Sequence, residues 1–153
     1  MGFQNTLSWK DFDLSIYMFA RMGQMIKYDI LTNYDPTGGK NFPKYFDFWT
    51  SSNPSNDFPA LNSQFELKDY KGYTALAYVD GSFFKIKNIT LGYTLPKLLS
   101  NKLQIDNLRI YGTITNPLIV AKSHLLKNYD PEMNGAVDFP LTRQLVFGVN
   151  FTF

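Results

Sequence analysis

The last nine residues, LVFGVNFTF at 145–153, constrain the fold more than any other stretch. Leu145, Phe147, Val149, Phe151 and Phe153 alternate with Val146, Gly148, Asn150 and Thr152, which are small or polar. Successive side chains of an extended strand point to opposite faces, so one face here is wholly apolar and rich in phenylalanine. A soluble strand can lay such a face on a core. A soluble chain rarely stops there, because termini are normally frayed and wet. A terminal strand with an apolar outer face, a polar inner face and interfacial aromatics is what the wall of a membrane β-barrel requires.

Composition removes several other readings. A chain of 153 residues can bury a sizeable core as a single soluble domain. Its formal net charge of +2 is spread rather than clustered, so no nucleic-acid partner is expected. Cysteine is absent, which excludes disulfides and thiolate metal sites. No apolar run approaches the ~20 residues that a membrane helix needs. A mean hydropathy of −0.22 does not exclude a membrane barrel, whose strands alternate and whose loops are polar. The aromatic share of 17%, with 14 Phe and 10 Tyr, suits strands and aromatic girdles. Residues 1–9 lack the basic head and apolar stretch of a signal peptide.

Period-two patterning predicts five strands, at about 2–9, 13–26, 83–94, 108–120 and 142–153. In the first, Leu7 and Trp9 share one face and Thr6 and Ser8 the other; a tight turn at Lys10, Asp11 and Phe12 follows. In the second, Leu14, Ile16, Met18 and Ala20 share a face, while Asp13, Ser15, Tyr17, Phe19 and Arg21 share the opposite one. Each charge in that run is on the second face, a segregation that has a purpose if the first face meets lipid, where charges cost a few kcal/mol each. In the third, Phe84 and Ile86 are out of step by one residue with Ile89, Leu91 and Tyr93. Two readings fit: a β-bulge near Lys87 and Asn88, or a strand that begins above the membrane, where both faces are polar. Leu108, Ile110 and Ile114 alternate with Arg109, Tyr111, Thr113 and Thr115 in the fourth, and Pro117 marks where its ladder loosens.

The connections alternate too. Those at 10–12 and 95–107 are short, the second opening on Pro96 with a helical turn. Those at 27–82 and 121–141 are long and rich in turn formers. Short turns on one side and long loops on the other characterise outer-membrane barrels. Aromatics scattered through the first long loop (Tyr34, Phe42, Tyr45, Phe46, Phe48, Trp49 and Phe58) argue against disorder there.

The stretch DGSFFKIKNITLGYTLP at 80–96 resembles the "DGSFLRLKNLTLGYTLP" element of SusC/RagA-type TonB-linked outer-membrane transporters, departing mainly at Phe84 and Lys85. WTSSNP at 49–54 is similar to the Trp-Thr-x-x-Asn-Pro loop of that family, and YDPE at 129–132 and FPLTR at 139–143 to its "YDPE" and "YPxxR" elements. Order and spacing match across nearly the whole chain. The resemblance implies an all-β antiparallel meander of about five transmembrane strands, the C-terminal part of a 22-stranded plugged barrel in the bacterial outer membrane. It implies a non-enzymatic role without cofactors: uptake of glycan or oligopeptide nutrients, driven by the TonB system and assisted by a SusD-like surface lipoprotein. The family's signal sequence, plug and TonB-contacting segment belong upstream of these motifs. Five strands would leave two open edges that lipid cannot satisfy, and known single-chain barrels need about 8 strands or more to close. The segment would then supply barrel wall, closing strand and part of the external rim.

Signals for chemistry are poor. His124 is the only histidine, so His-based metal clusters and Ser-His catalysis lack partners, and placement in a loop is expected. The run Gly38, Gly39, Lys40 lacks the earlier glycine of a phosphate loop. Asp130 and Glu132 form half of a carboxylate pair at most; a turn holding the loop explains them better. Arg143 stands at the mouth of the last strand, where pairing with an inward carboxylate is expected over ligand binding. Tyr45, Phe46, Phe48 and Trp49 are candidates for stacking on ligand or contacting the lipoprotein, against the alternative that they pack the loop itself. Leu145, Phe147, Val149, Phe151 and Phe153 are assigned to the assembly and closure strand. Charges at Phe147 or Val149 should then cost ~2–4 kcal/mol, with milder effects at Gly148 or Asn150. Loss of Phe153 should lower assembly beyond its ~1.5–3 kcal/mol of burial, because closure depends on that strand. The rival fold is a soluble β-sandwich carbohydrate-binding module, in which a second sheet covers the odd-numbered face of 145–153.

Overall fold

A computed structural model of the chain describes residues 1–28, 44, 46–58, 60, 77–102, 105–127, 129–136 and 141–153. They divide into two compact units: Met1–Arg21, Phe83–Val120 and Leu141–Phe153 form one, and Met22–Ser82 with Ala121–Pro140 the other.

The first unit is a five-stranded sheet. Its strands are β1 (Gly2–Trp9), β2 (Phe12–Arg21), β5 (Phe83–Thr94), β6 (Asn107–Ala121) and β7 (Gln144–Thr152), in the spatial order β1-β2-β5-β6-β7. Neighbours in space are successive strands of this unit in sequence, the arrangement of a meander. β1 and β2 pair antiparallel with Trp9 opposite Phe12, joined through Lys10, whose φ is 53°. β2 pairs antiparallel with β5, and β6 with β7. Between β5 and β6 lies a short helix, α1 (Lys97–Lys102), in which the N–H groups of Leu99 and Ser100 donate to the Pro96 carbonyl.

The parity fault in β5 is a bulge. Tyr17 pairs with Asn88 but Met18 pairs with Ile86, so Lys87 is the extra residue. The displaced residue brings Phe84 and Ile86 into line with Ile89, Leu91 and Tyr93, opposite Ala20, Met18, Ile16, Leu14 and Phe12 of β2. A slip of one residue exchanges the two faces of a strand, and here the bulge corrects the pattern. In β6 the ladder to β7 ends at Thr115 opposite Gln144; Asn116, with φ 53°, then precedes Pro117, which has no N–H to donate.

The largest boundary difference from the sequence expectation is at the end of the second strand. The second strand does not continue to 26: it stops at Arg21. Gly23 takes φ 74° and donates its N–H to Ser82 Oγ at 3.0 Å, which turns the chain out of the ladder. Residues Met25–Lys27 (β3) then pair with Tyr78–Asp80 (β4) in a separate two-stranded sheet within the second unit. That unit has its own core, formed by Ile26, Tyr28, Phe46, Phe58, Ala77, Val79, Leu125 and Leu126. Short 3-10 turns at His124–Leu126 and Pro131–Met133 complete its described secondary structure.

Candidate functional site

In the sheet unit, function resides in its two faces. Register places Phe3, Leu7 and Trp9 of β1 beside Met18, Leu14 and Phe12 of β2. At the other end, Leu108 and Ile110 of β6 lie beside Phe151 and Val149 of β7. These side chains, with Phe84 and Leu91, form an apolar face running from edge to edge. Much of it is open: Phe147 is 75% exposed, and Phe3, Leu7, Trp9, Leu91, Ile110, Leu145 and Val149 are also exposed. Among the described residues no second sheet covers this face, which counts against the sandwich reading. Contiguous apolar patches of more than a few hundred Å² are rare on monomers in water and mark a surface made for something else. Phe153 extends the face beyond β7, with its ring edge-on to Phe151 at 5.3 Å.

The opposite face is polar and cross-linked. The Asp13 carboxylate on β2 accepts from Arg109 Nε at 2.9 Å and Nη2 at 2.6 Å, although Arg109 is on β6 and β5 lies between them. Gly92, opposite Asp13, makes the crossing possible, since any Cβ there would collide with both the guanidinium and the carboxylate. The Arg109 guanidinium also stands over the Tyr111 ring at 5.1 Å, and the ring in turn lies over Gly148 of β7. A Thr90–Thr113 hydroxyl contact at 2.9 Å adds a further β5–β6 link. This belt joins four strands. Asp13 and Arg109 are 96 residues apart, and pairing them from sequence requires the strand order. The available signal was a pair of opposite charges, Asp13 and Arg109, each alternating with apolar neighbours.

Two expectations change at Gly148. It is not an open polar-face position, because the Tyr111 ring occupies the space above it. A charged side chain there would meet that ring, so Asn150, opposite Arg109, is the appropriate control for substitutions on the apolar face.

The second unit accounts for most of the singled-out loop residues. Phe46 is buried, its ring 5.2 Å from Phe58 and 6.3 Å from Tyr28, and Phe48 packs against the same cluster. These two therefore pack the loop. Trp49 is 43% exposed, on a segment tied by its own N–H to the Phe58 carbonyl at 3.0 Å. Tyr45 lies outside the described residues, as do Tyr34, Phe42 and the run Gly38, Gly39, Lys40. Asp130 is buried and accepts from the Glu132 N–H at 3.0 Å, capping the 3-10 turn Pro131–Met133. The carboxylate thus holds a turn. His124 and Arg143 are both exposed.

The run Asp80, Gly81, Ser82 is the junction of this unit. Asp80 Oδ1 accepts from the Ser82 N–H at 2.9 Å, and Oδ2 accepts from Lys122 Nζ at 2.6 Å. The Lys122 ammonium, followed by the Ser82 contact, holds the Asp80 carboxyl well below the usual carboxylate range. Gly81 exchanges bonds with Gln24, donating to its carbonyl at 2.8 Å and accepting from its Nε2 at 2.6 Å.

A single meandering antiparallel sheet with one exposed apolar face and one cross-linked polar face defines the class: a piece of β-barrel wall. Known proteins agree. A TonB-dependent receptor of Formosa agariphila is 29% identical over 99% of this chain and 16% of its own length. The TonB-dependent receptor SusC of Bacteroides thetaiotaomicron is 28% identical over the whole chain and 15% of its own length. The solved RagAB peptide importer, in its closed-closed state, superposes with a TM-score of 0.70 and 27% identity over 99% of this chain and 17% of that one. No family model matches. The chain is thus similar along its whole length to TonB-dependent receptors of the SusC/RagA type, and spans about one sixth of the length of those relatives.

Proposed function

We propose that the chain is a stretch of the wall and external rim of an outer-membrane TonB-dependent nutrient transporter, the C-terminal part of a 22-stranded barrel. It supplies strands, the closing strand and loops, with Leu145, Phe147, Val149, Phe151 and Phe153 facing lipid on the strand that completes the cylinder. The observation that carries this is the uncovered apolar face running from β1 to β7, opposite a polar face cross-linked by Asp13 and Arg109. A β-structure spans a bilayer only when its backbone is fully paired and its outer side chains are apolar. The proposed role is passage and not catalysis, in keeping with the structural use of the Asp13–Arg109 and Asp80–Lys122 pairs. Transport would be energised by TonB through parts of the protein upstream, with a SusD-like lipoprotein over the external face. RagAB is described as a peptide importer, and the proposed cargo is an oligopeptide or glycan nutrient. Trp49 is the proposed loop contact to lipoprotein or ligand, being the exposed one among Phe46, Phe48 and Trp49.

The test uses the complete transporter. Phe147→Lys is expected to cost ~2–4 kcal/mol or to block assembly, while Asn150→Lys has a milder effect. Folded barrel in outer-membrane fractions, read by heat-dependent gel mobility, distinguishes the two. Equal loss from both faces, or recovery of the wild-type protein in soluble fractions, would overturn the reading. In the same membranes Trp49→Ala should reduce either recovery of the lipoprotein or uptake; no change in both removes Trp49 from the rim contact.

A further inference from the structure

The two long connections are far apart in sequence, yet they do not form two loops. The core of the second unit takes Ile26, Tyr28, Phe46 and Phe58 from the first connection and Leu125 and Leu126 from the second. Leu126 and Tyr28 are fully buried, and Tyr129 meets Tyr28 edge-on at 5.4 Å. Neither connection can bury these side chains alone. Polar contacts repeat the pattern. Lys122, at the start of the second connection, donates its ammonium to Asp80 at 2.6 Å and its backbone N–H to the Ser82 carbonyl at 2.9 Å. Gly135, with φ 88°, packs against the backbone of Lys27 so closely that a Cβ would overlap the carbonyl.

We propose that the described residues of 22–82 and 121–136 form one cooperatively folded lobe, latched by the Asp80, Gly81, Ser82 turn, so that a change made in either connection is transmitted to the other. Residues that share a core and a hydrogen-bond network open together, as a single unit of local stability. A partner or ligand that orders the segment around Trp49 therefore also orders the turn at 131–133, with no contact to it. Coupling of this kind is reciprocal. It holds whatever the apolar face of the sheet meets, since the core and latch residues are not those that form that face.

Amide hydrogen exchange on the complete transporter tests it. Leu126→Ala, in the second connection, is expected to speed exchange in 46–58 and 77–82 by about tenfold or more, with strands 12–21 and 144–152 unchanged. Phe58→Ala, in the first, should do the same to 124–134. The exposed Lys122→Met removes only the latch and keeps the experiment decisive where a core variant fails to assemble; it should speed exchange at 22–24 and 80–82. Acceleration confined to the connection that carries the substitution would overturn the single lobe. Unchanged exchange at 22–24 and 80–82 in Lys122→Met would overturn the latch.

Discussion

Gly92 shows how one missing side chain shapes the polar face. The Arg109–Asp13 pair has side chains 27% and 28% exposed, respectively, and its bidentate geometry makes it stronger than an open surface pair. A methyl group at Gly92 would sit where the pair meets. Gly92→Ala is therefore expected to destabilise the complete barrel by about 1–2 kcal/mol, close to the effect of Asp13→Asn, and the two should not add. Urea unfolding in lipid vesicles measures this; full additivity would show that the glycine serves some other purpose. Asp80 carries a pH signature instead. Its folded-state pKa is depressed, chiefly by Lys122, so its stabilisation is present above the ordinary carboxylate value of ~4 and is lost as pH falls below it. Exchange protection at 77–82 should weaken as pH falls from about 5 to about 3, and Asp80→Asn should largely abolish that dependence.

Among the elements, β5 carries the most consequential irregularity. Its bulge at Lys87 keeps Phe84 and Ile86 on the apolar face and Lys85, only 1% exposed, on the other. Deleting Lys87 would restore a regular ladder at the cost of inverting one half of the strand, placing Lys85 among the apolar side chains. Lys87→Ala retains the extra residue and loses only the ammonium that stands 4.8 Å from the Phe19 ring. Assembly yield of the complete transporter should collapse with the deletion and survive the substitution. Similar yields from both would mean that β5 can choose its register freely. The outcome bears on the neighbours as well, because β5 is the strand through which β2 and β6 are held.

At the scale of the whole molecule, the sheet has two outer edges, β1 and β7, and an apolar face whose side chains are exposed among the described residues. Backbone N–H and C=O groups on such edges recruit further strands, and the face recruits lipid or other copies. Residues 1–153 expressed alone, in buffer without detergent, are therefore expected to aggregate. A monodisperse soluble monomer in size-exclusion chromatography would contradict the wall reading and revive the sandwich. The second unit has a different character, with a buried aromatic core suited to water outside it.

Much of this was legible in the residues, because a strand exposed differently on its two faces writes a period of two into the sequence. The alternation in 145–153, the segregation of charge in β2 and the fault at Lys87 follow from that period alone. So did the turn role of Asp130, since an Asp-Pro pair favours a turn whatever surrounds it. The end of β2 at Arg21 was not legible: Gly23 and Gln24 leave the ladder because Ser82 and Gly81, almost sixty residues away, offer them partners. The split among the loop aromatics, Phe46 buried and Trp49 exposed, had no local signature either. The Asp13–Arg109 bridge over Gly92 and the union of two connections in one core depend on strand order and on contacts between distant segments. Local periodicity records which face a residue takes; only the tertiary structure decides which residue it meets there.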